Sequence, residues 1–251
     1  MSGHSKWTQI KRQKGVADTR RGALSTKLAR EITVAVREGG TSLEGNFRLR
    51  LAVQKARDNN MPWDNIERAL KRGSGETGVT ELTELTLEGY GPNGIAVLVQ
   101  ALTDNRNRTV QDVRRLFTHH GGSLGETGCV AWLFESKGVI TVESNDADAE
   151  EIALQAIDAG AEDVKTDKDY VEVYTQPDNM EKVRKTIEQG RHVISAEVAL
   201  VPKTTVELDE DRAAHLLRFL DQLEELDDVQ HVFSNIDFSD ATLEKLRSRT
   251  G

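Results

Sequence analysis

The spacing of apolar residues changes once along the chain, and this change constrains the fold more than any other feature. Up to about residue 72 the apolar residues recur every three or four positions, as Leu24, Leu28, Ile32 and Val36 do, which is typical of amphipathic helices. After the stretch GSGETG at 73–78 they alternate with polar residues, as in strands. The sequence therefore predicts a helical N-terminal part followed by α+β structure.

The N-terminal part is predicted to contain three helices. Gly39 and Gly40 end the first, and the second runs through FRLRLAVQKARDNN. Pro62 suits the first turn of the third helix, and Gly73 suits its end. Three helices with short connections predict a small bundle.

The rest of the chain is predicted to form two ferredoxin-like α/β domains, one inserted in the other. Residues 137–202 follow the complete order β-α-β-β-α-β. The preceding unit ends with a strand in GCVAWLFE and lacks a helix and a strand, which the segment after residue 203 supplies. We therefore predict an α+β protein whose domains span 1–75, then 76–134 together with 204–251, and 135–203 as the insert.

The charge is divided unevenly between these parts. Residues 1–75 carry 16 Lys and Arg against 7 Asp and Glu, whereas the other 176 residues have a net charge of −18. A basic end on an acidic body indicates that a polyanion binds mainly at the N-terminal part.

Cysteine content and hydropathy bear on the compartment. The single Cys129 rules out an internal disulfide framework, and no apolar run reaches the length of a membrane span. We expect a cytoplasmic monomer with no membrane partner.

Patterns that could indicate catalysis lack their structural context. Two G-x-G-x-x-G stretches begin at Gly73 and Gly89, but neither lies between a strand and a helix as a dinucleotide site requires. The pair His119-His120 is predicted to be exposed at a helix end, without a third metal ligand at a suitable spacing. We therefore expect no catalytic residue, metal, cofactor or small-molecule substrate, and hence no enzyme.

The turn TDNRNRT at 103–109 supports two interpretations. Its amides and guanidinium groups lie between a strand and a helix, where they could bind phosphate. Alternatively, Asp104 and Asn105 cap the helix while the arginines pair with acidic neighbours. In GCVAWLFE, Val130, Trp132 and Phe134 would share one strand face, and we expect them to fill a core rather than to stack on bases.

The N-terminal tail is the strongest candidate for nucleic-acid contact. Residues 1–14 carry four cations, no acid and the single aromatic Trp7, a combination that can neutralise phosphates and stack on an unpaired base. A solvated arm or a protein-binding arm is the alternative. The predicted nucleic-acid-binding residues are His4, Lys6, Trp7, Lys11, Arg12, Lys14, Arg20, Arg21, Lys27, Arg30, Asn105, Arg106, Asn107 and Arg108.

Several stretches resemble the YebC/PmpR family, which includes the mitochondrial translational activator of cytochrome c oxidase. They are GHSKWxxIKxxK at 3–14, TKLxREI at 26–32, NxRLRxAxxKAxxNNMP at 46–62, LEGYGPNGIAVLV at 87–99, TDNRNRT at 103–109, GGSLGxTGxVAWLF at 121–134 and DDVQxVxxN at 227–235. The resemblance implies a three-domain α+β protein. It also implies either a DNA-binding transcriptional regulator or a ribosome-associated factor that helps translation through proline-rich stretches.

Of these functions, the charge distribution favours translation. A basic tail on an acidic body suits contact with ribosomal RNA, whereas duplex readers usually present a recognition helix from a symmetric dimer. We expect a non-enzymatic, ribosome-associated RNA-binding translation factor, with a DNA-binding transcriptional regulator as the alternative.

Overall fold

The computed structural model describes residues 18–76, 82–145, 148–167, 169–238 and 242. The helical part consists of α1 (Asp18–Gly39), α2 (Phe47–Asp58) and α3 (Trp63–Gly73), which confirms the three predicted helices. Their buried faces share one apolar core that includes Leu28, Ile32, Leu49 and Ile66.

Asn46 explains how α1 and α2 join. Its Oδ1 accepts a hydrogen bond from the Leu49 amide at 3.0 Å and so caps α2. Its Nδ2 donates to the carbonyls of Ala35 at 2.6 Å and Gly40 at 2.8 Å. One buried side chain therefore satisfies groups at the end of one helix and the start of the next.

The first sheet carries two helices on one face. Its strand order is β3-β1-β2-β9, and all its pairs are antiparallel. The elements are β1 (Thr83–Tyr90), β2 (Ala96–Thr103), α4 (Arg106–His119), β3 (Ser123–Leu124), α7 (Glu210–Glu225) and β9 (Val229–Ser234). The chain enters this sheet through the β1-β2 hairpin, and β9 returns after the second sheet to pair with β2.

The second sheet lies between the two parts of the first in the sequence. Its strand order is β5-β6-β4-β7, again antiparallel throughout, which is the ferredoxin-like arrangement. Its elements are β4 (Phe134–Glu143), α5 (Ala149–Ala159), β5 (Asp163–Thr166), β6 (Tyr170–Thr175), α6 (Met180–Glu188) and β7 (Val193–Pro202). The short strands β8 (Val206–Glu207) and β10 (Ile236–Asp237) form a separate parallel pair. The α+β class is confirmed, and we keep the three domain boundaries as a proposal.

The prediction that GCVAWLFE forms a strand of the first sheet is wrong. Residues Ala131–Leu133 form a short 3₁₀ helix, and the strand that begins at Phe134 pairs with β7 of the second sheet. The cause is Glu88, whose buried carboxylate accepts hydrogen bonds from backbone amides of this loop. In a strand, these amides would donate to the neighbouring strand. The predicted shared face is also wrong, since Val130 is buried whereas 64% of Trp132 is exposed.

The prediction that both His119 and His120 are exposed is wrong for His120. Packing of α4 against α7 buries His120, and its Nε2 lies 3.0 Å from the Gln222 Oε1 while its Nδ1 lies 3.3 Å from the His215 Nε2. His119 is exposed. Across the described ranges, no group of three or more His, Cys, Asp or Glu side chains could hold a metal ion.

The helices are too short or too polar to span a membrane within the part of the chain that the structure describes.

Candidate nucleic-acid interface

Part of the predicted interface cannot be placed. The tail residues His4, Lys6, Trp7, Lys11, Arg12 and Lys14 lie outside the described residues, as do the side chains of Arg20 and Arg21 in α1. The remaining predicted residues fall into three groups. One group binds an acidic corner formed by Glu224, Asp227 and Asp228. Asn105 caps α4, and Arg106 and Asn107 are open to solvent.

The acidic corner lies between α7 and β9, and two cations of α1 reach it. The Arg30 Nη1 donates to Asp228 Oδ1 at 2.8 Å and to the Asp227 carbonyl at 2.6 Å. The Lys27 ammonium donates to the carbonyl of Glu224. These two side chains therefore fasten the helical part to the first α+β unit.

Arg108 reaches the same corner from the start of α4. Its Nη2 donates to Asp228 Oδ2 at 2.7 Å and to Asp104 Oδ1 at 2.9 Å. The Thr109 hydroxyl lies 2.7 Å from the same Asp228 oxygen. Asp228 thus binds side chains of α1 and α4, two helices that are distant in the sequence.

The ionisation of Asp228 follows from these contacts. Burial of the carboxylate raises its pKa, but hydrogen bonds from Arg108 and Thr109 and the charge of Arg30 outweigh burial, so that the pKa is lowered. Asp228 is therefore a stable anion at neutral pH, and it holds the two arginines as counter-ions.

Asn105 also has a structural role. Its Oδ1 accepts a hydrogen bond from the Arg108 amide at 3.1 Å, which caps α4. The Asn105 backbone amide donates to the Thr103 hydroxyl at 2.9 Å. The capping interpretation of TDNRNRT thus describes Asn105, and the ion-pair interpretation describes Arg108.

Arg106 and Asn107 differ from these residues, because both are exposed and face a groove of about 370 Å³ beside the edge of the first sheet. The lining residues are Leu87, Arg106, Asn107, Val110, Gln111, Arg114, Leu124 and Gly125. Neither Arg106 nor Arg114 forms an ion pair with any residue in the described ranges. The groove therefore offers two guanidinium groups and two side-chain amides to a ligand.

Two of these groove residues were missed by the sequence reasoning. Asn107, Gln111 and Arg114 are spaced four and then three positions apart, which places them on one face of α4. That spacing was the available signal. The motif TDNRNRT ends at residue 109 and therefore covers only the first of these three positions.

A larger cavity of about 960 Å³ lies between the helical part and the two sheets. Its carboxylates outnumber its cations, and the cations are already engaged. Arg48 pairs with Glu84 at 2.5 Å, and Lys55 pairs with Glu197 at 2.7 Å. Because of this charge balance, the cavity is a poorer polyanion site than the groove on α4.

Comparison with known proteins gives the family. A family model described as the TACO1/YebC protein N-terminal domain matches residues 5–76, and one described as the TACO1/YebC second and third domain matches residues 82–236. A probable transcriptional regulatory protein of Dehalococcoides mccartyi strain CBDB1 is 58% identical over 250 residues, covering 99% of this chain and 100% of the relative. One of Herpetosiphon aurantiacus is 51% identical, covering 98% of each chain.

A solved structure agrees with these sequence matches. The crystal structure of a conserved hypothetical protein from Aquifex aeolicus is similar with a TM-score of 0.81 and 46% identity. The match covers 89% of this chain and 93% of the other. Together with the two domain matches, this shows that the chain belongs to the TACO1/YebC family.

Proposed function

We propose that this protein is a non-enzymatic, nucleic-acid-binding regulator of gene expression. The observation that carries the proposal is the groove on α4, where Arg106 and Arg114 stay exposed in a strongly acidic part of the chain. Unpaired guanidinium groups in such a body are suited to phosphate contact. The relatives' name, probable transcriptional regulatory protein, supports a regulator of gene expression.

The finer proposal is a ribosome-associated RNA-binding translation factor that assists elongation through proline-rich stretches. The shape of the groove supports RNA over duplex DNA. A duplex reader must insert a helix or ribbon into a major groove about 12 Å wide, whereas Arg106 and Arg114 line a groove of about 370 Å³ between α4 and the sheet edge. We expect ribosomal RNA to be the partner of a cytoplasmic monomer.

The alternative is a DNA-binding transcriptional regulator. The names of the relatives favour it, because they refer to transcription. The two functions differ in the nucleic acid that the protein binds, so the ligand distinguishes them.

The proposal is tested by crosslinking the protein in cells, identifying the attached nucleic acid, and then measuring affinity for ribosomes, single-stranded RNA and duplex DNA. The double variant Arg106→Gln with Arg114→Gln should bind more weakly, and the log-log salt slope should fall by roughly 1.4 to 1.8 for two lost phosphate contacts. Arg218→Gln is the matched control, because Arg218 is exposed on α7 and does not line the groove.

The results distinguish the translation factor from the transcriptional regulator and test the role of the groove separately. Crosslinks to ribosomal RNA with a defect in only the groove variant would support the translation factor. Crosslinks to chromosomal DNA, with tighter binding to duplex DNA than to RNA, would replace it with the transcriptional regulator. Equal binding by the groove variant and the control would remove the groove from the interface.

A further inference from the structure

Two exposed aromatic side chains, Tyr90 and Trp132, share one hydrogen-bond acceptor in the loop that precedes β4. The Trp132 Nε1 donates a hydrogen bond to the Cys129 carbonyl at 3.1 Å, and the Tyr90 hydroxyl donates to the same carbonyl at 3.3 Å. Trp132 is 64% exposed and Tyr90 is 40% exposed. A shared acceptor thus satisfies the polar end of each ring and leaves ring surface open to solvent.

The loop that holds these rings is rigidly anchored. The Glu88 carboxylate accepts hydrogen bonds from the amides of Gly128 at 2.7 Å, Val130 at 2.9 Å and Ala131 at 2.8 Å. The position of the Cys129 carbonyl is therefore determined by the bonds on either side of it. Rings held in this way lose little conformational entropy when a ligand binds.

A cation stands beside Trp132. The Lys203 Nζ donates to the Trp132 carbonyl at 3.1 Å, and the Lys203 amide donates to the Leu133 carbonyl at 2.8 Å. Lys203 is exposed and forms no ion pair with any residue that the structure describes. Its ammonium therefore remains available for an anion close to the rings.

These features suit one kind of ligand. A planar group with an attached negative charge can stack on an aromatic ring while its anion meets the ammonium, and an unpaired nucleotide has both parts. A core role would bury Trp132 as it buries the neighbouring Val130 and Phe134. We propose that Tyr90 and Trp132 form a stacking site for an unpaired nucleobase, with Lys203 contacting the adjacent phosphate.

The site rests on the proposed function and extends it. Leu124 of β3 and the adjoining Gly125 line the groove on α4, so that one segment contributes to both surfaces. The groove supplies phosphate contacts, and the rings add an interaction that requires the base itself. The preferred ligand is therefore a single strand rather than a duplex.

Fluorescence of a protein in which Trp132 is the only tryptophan tests the stacking directly. Trp7→Phe and Trp63→Phe produce this protein from a chain that has three tryptophans. The probes are a single-stranded adenosine decamer, its duplex with the complement, and an abasic ribose-phosphate decamer at the same salt concentration. We expect the single-stranded decamer to quench the emission and the abasic strand to leave it unchanged.

Variants of the otherwise unaltered chain test affinity. Trp132→Leu should weaken binding of the adenosine decamer about 5-fold or more without changing the salt slope. Lys203→Gln should lower the slope by roughly 0.7 to 0.9. Trp63→Leu is the control, because Trp63 is an exposed tryptophan of the helical part outside both surfaces.

The outcomes separate this site from the proposed function. If the abasic strand binds as tightly as the adenosine decamer, Trp132 stays unquenched and the groove variants remain defective, the stacking site is overturned and the regulator stands. If the wild-type protein binds no nucleic acid at all, both are overturned. Quenching of Trp132 by the adenosine decamer alone supports the site even if Trp132→Leu does not fold.

Discussion

Arg108 donates a hydrogen bond to Asp228 at 2.7 Å across 120 positions of sequence, and this contact ties the start of α4 to the loop before β9. Arg30 of α1 meets the other oxygen of the same carboxylate at 2.8 Å. Both arginines had been predicted to bind nucleic acid. Their guanidinium groups hold three segments of the chain together, and their contact with nucleic acid stays a prediction. The exposed Arg106 is the arginine of TDNRNRT that faces a groove.

Asp228→Asn should lower the free energy of unfolding by about 1 to 3 kcal/mol, because the amide replaces an anion that is hydrogen-bonded to two cations and a hydroxyl. Urea denaturation at pH 7 measures this loss. Asp104→Asn is the matched control, since Asp104 is the exposed partner of the same Arg108 and should matter little. Equal losses in the two variants would contradict a special role for the corner.

Glu88 predicts how the loop before β4 responds to acid. Burial raises its pKa, but hydrogen bonds from the amides of Gly128, Val130 and Ala131 lower it by more. The folded pKa therefore lies below the unfolded value near 4.5, so that the stabilisation is present above that value and is lost as the pH falls through the folded pKa.

Comparison of wild type with Glu88→Gln checks this prediction. The difference in free energy of unfolding between the two proteins should be large at pH 7 and should shrink as the pH falls below the unfolded value of about 4.5 and through the folded pKa. A difference that stays constant between pH 7 and pH 3 would show that the charge of Glu88 does not stabilise the loop.

The sequence predicted most of the regular structure because apolar periodicity is a local signal. The three N-terminal helices and the β-α-β-β-α-β order of the second sheet follow from spacing within each segment. The segment at 128–135 was predicted wrongly because Glu88, about 40 positions earlier, determines its hydrogen bonds. No pattern within the segment indicates that its backbone amides bind a carboxylate from outside it.

The candidate site was predicted only in part for the same physical reason. Arg106 and Arg108 are two positions apart and chemically identical, yet one lines a groove and the other binds Asp228. The two arginines differ because Arg108 contacts Asp228, which lies 120 positions away in the sequence. Trp132 was assigned to a core because alternation implied a strand, and its exposure follows from the 3₁₀ helix that replaces the strand.

Two glycines should respond oppositely to alanine. At Gly22 in α1 an added Cβ meets nothing within 4 Å, so Gly22→Ala should raise the free energy of unfolding by roughly 0.5 to 1 kcal/mol. At Gly73 an added Cβ would lie 2.6 Å from the Val36 Cβ, so Gly73→Ala should lower the free energy of unfolding by roughly 1 to 3 kcal/mol. Thermal and urea denaturation measure both. A stabilised Gly73→Ala protein would show that α1 and α3 can separate without loss.

Deletion of residues 1–14 should weaken binding to RNA or the ribosome while the protein still folds. The described apolar core of the helical part begins at Leu28, so the deletion removes none of it. If all four deleted cations contact phosphate, the log-log salt slope should flatten by roughly 3 to 4. Salt-dependent binding assays and a melting curve measure the two effects. Unchanged affinity and slope would leave the tail as a solvated or protein-binding arm.

Replacing each arginine of TDNRNRT by lysine should separate binding from stability. Arg106→Lys keeps the charge but loses the planar fork that grips phosphate, so affinity for single-stranded RNA should fall while the melting temperature stays near wild type. Arg108→Lys should lower the melting temperature, because the lysine side chain is shorter and its single ammonium group must bind both Asp104 and Asp228. The folded Arg108→Lys protein should bind RNA as tightly as the wild type. Titration at fixed salt and thermal denaturation measure these effects. If Arg108→Lys reduced binding and Arg106→Lys reduced stability, the structural and binding roles of the two residues would be reversed.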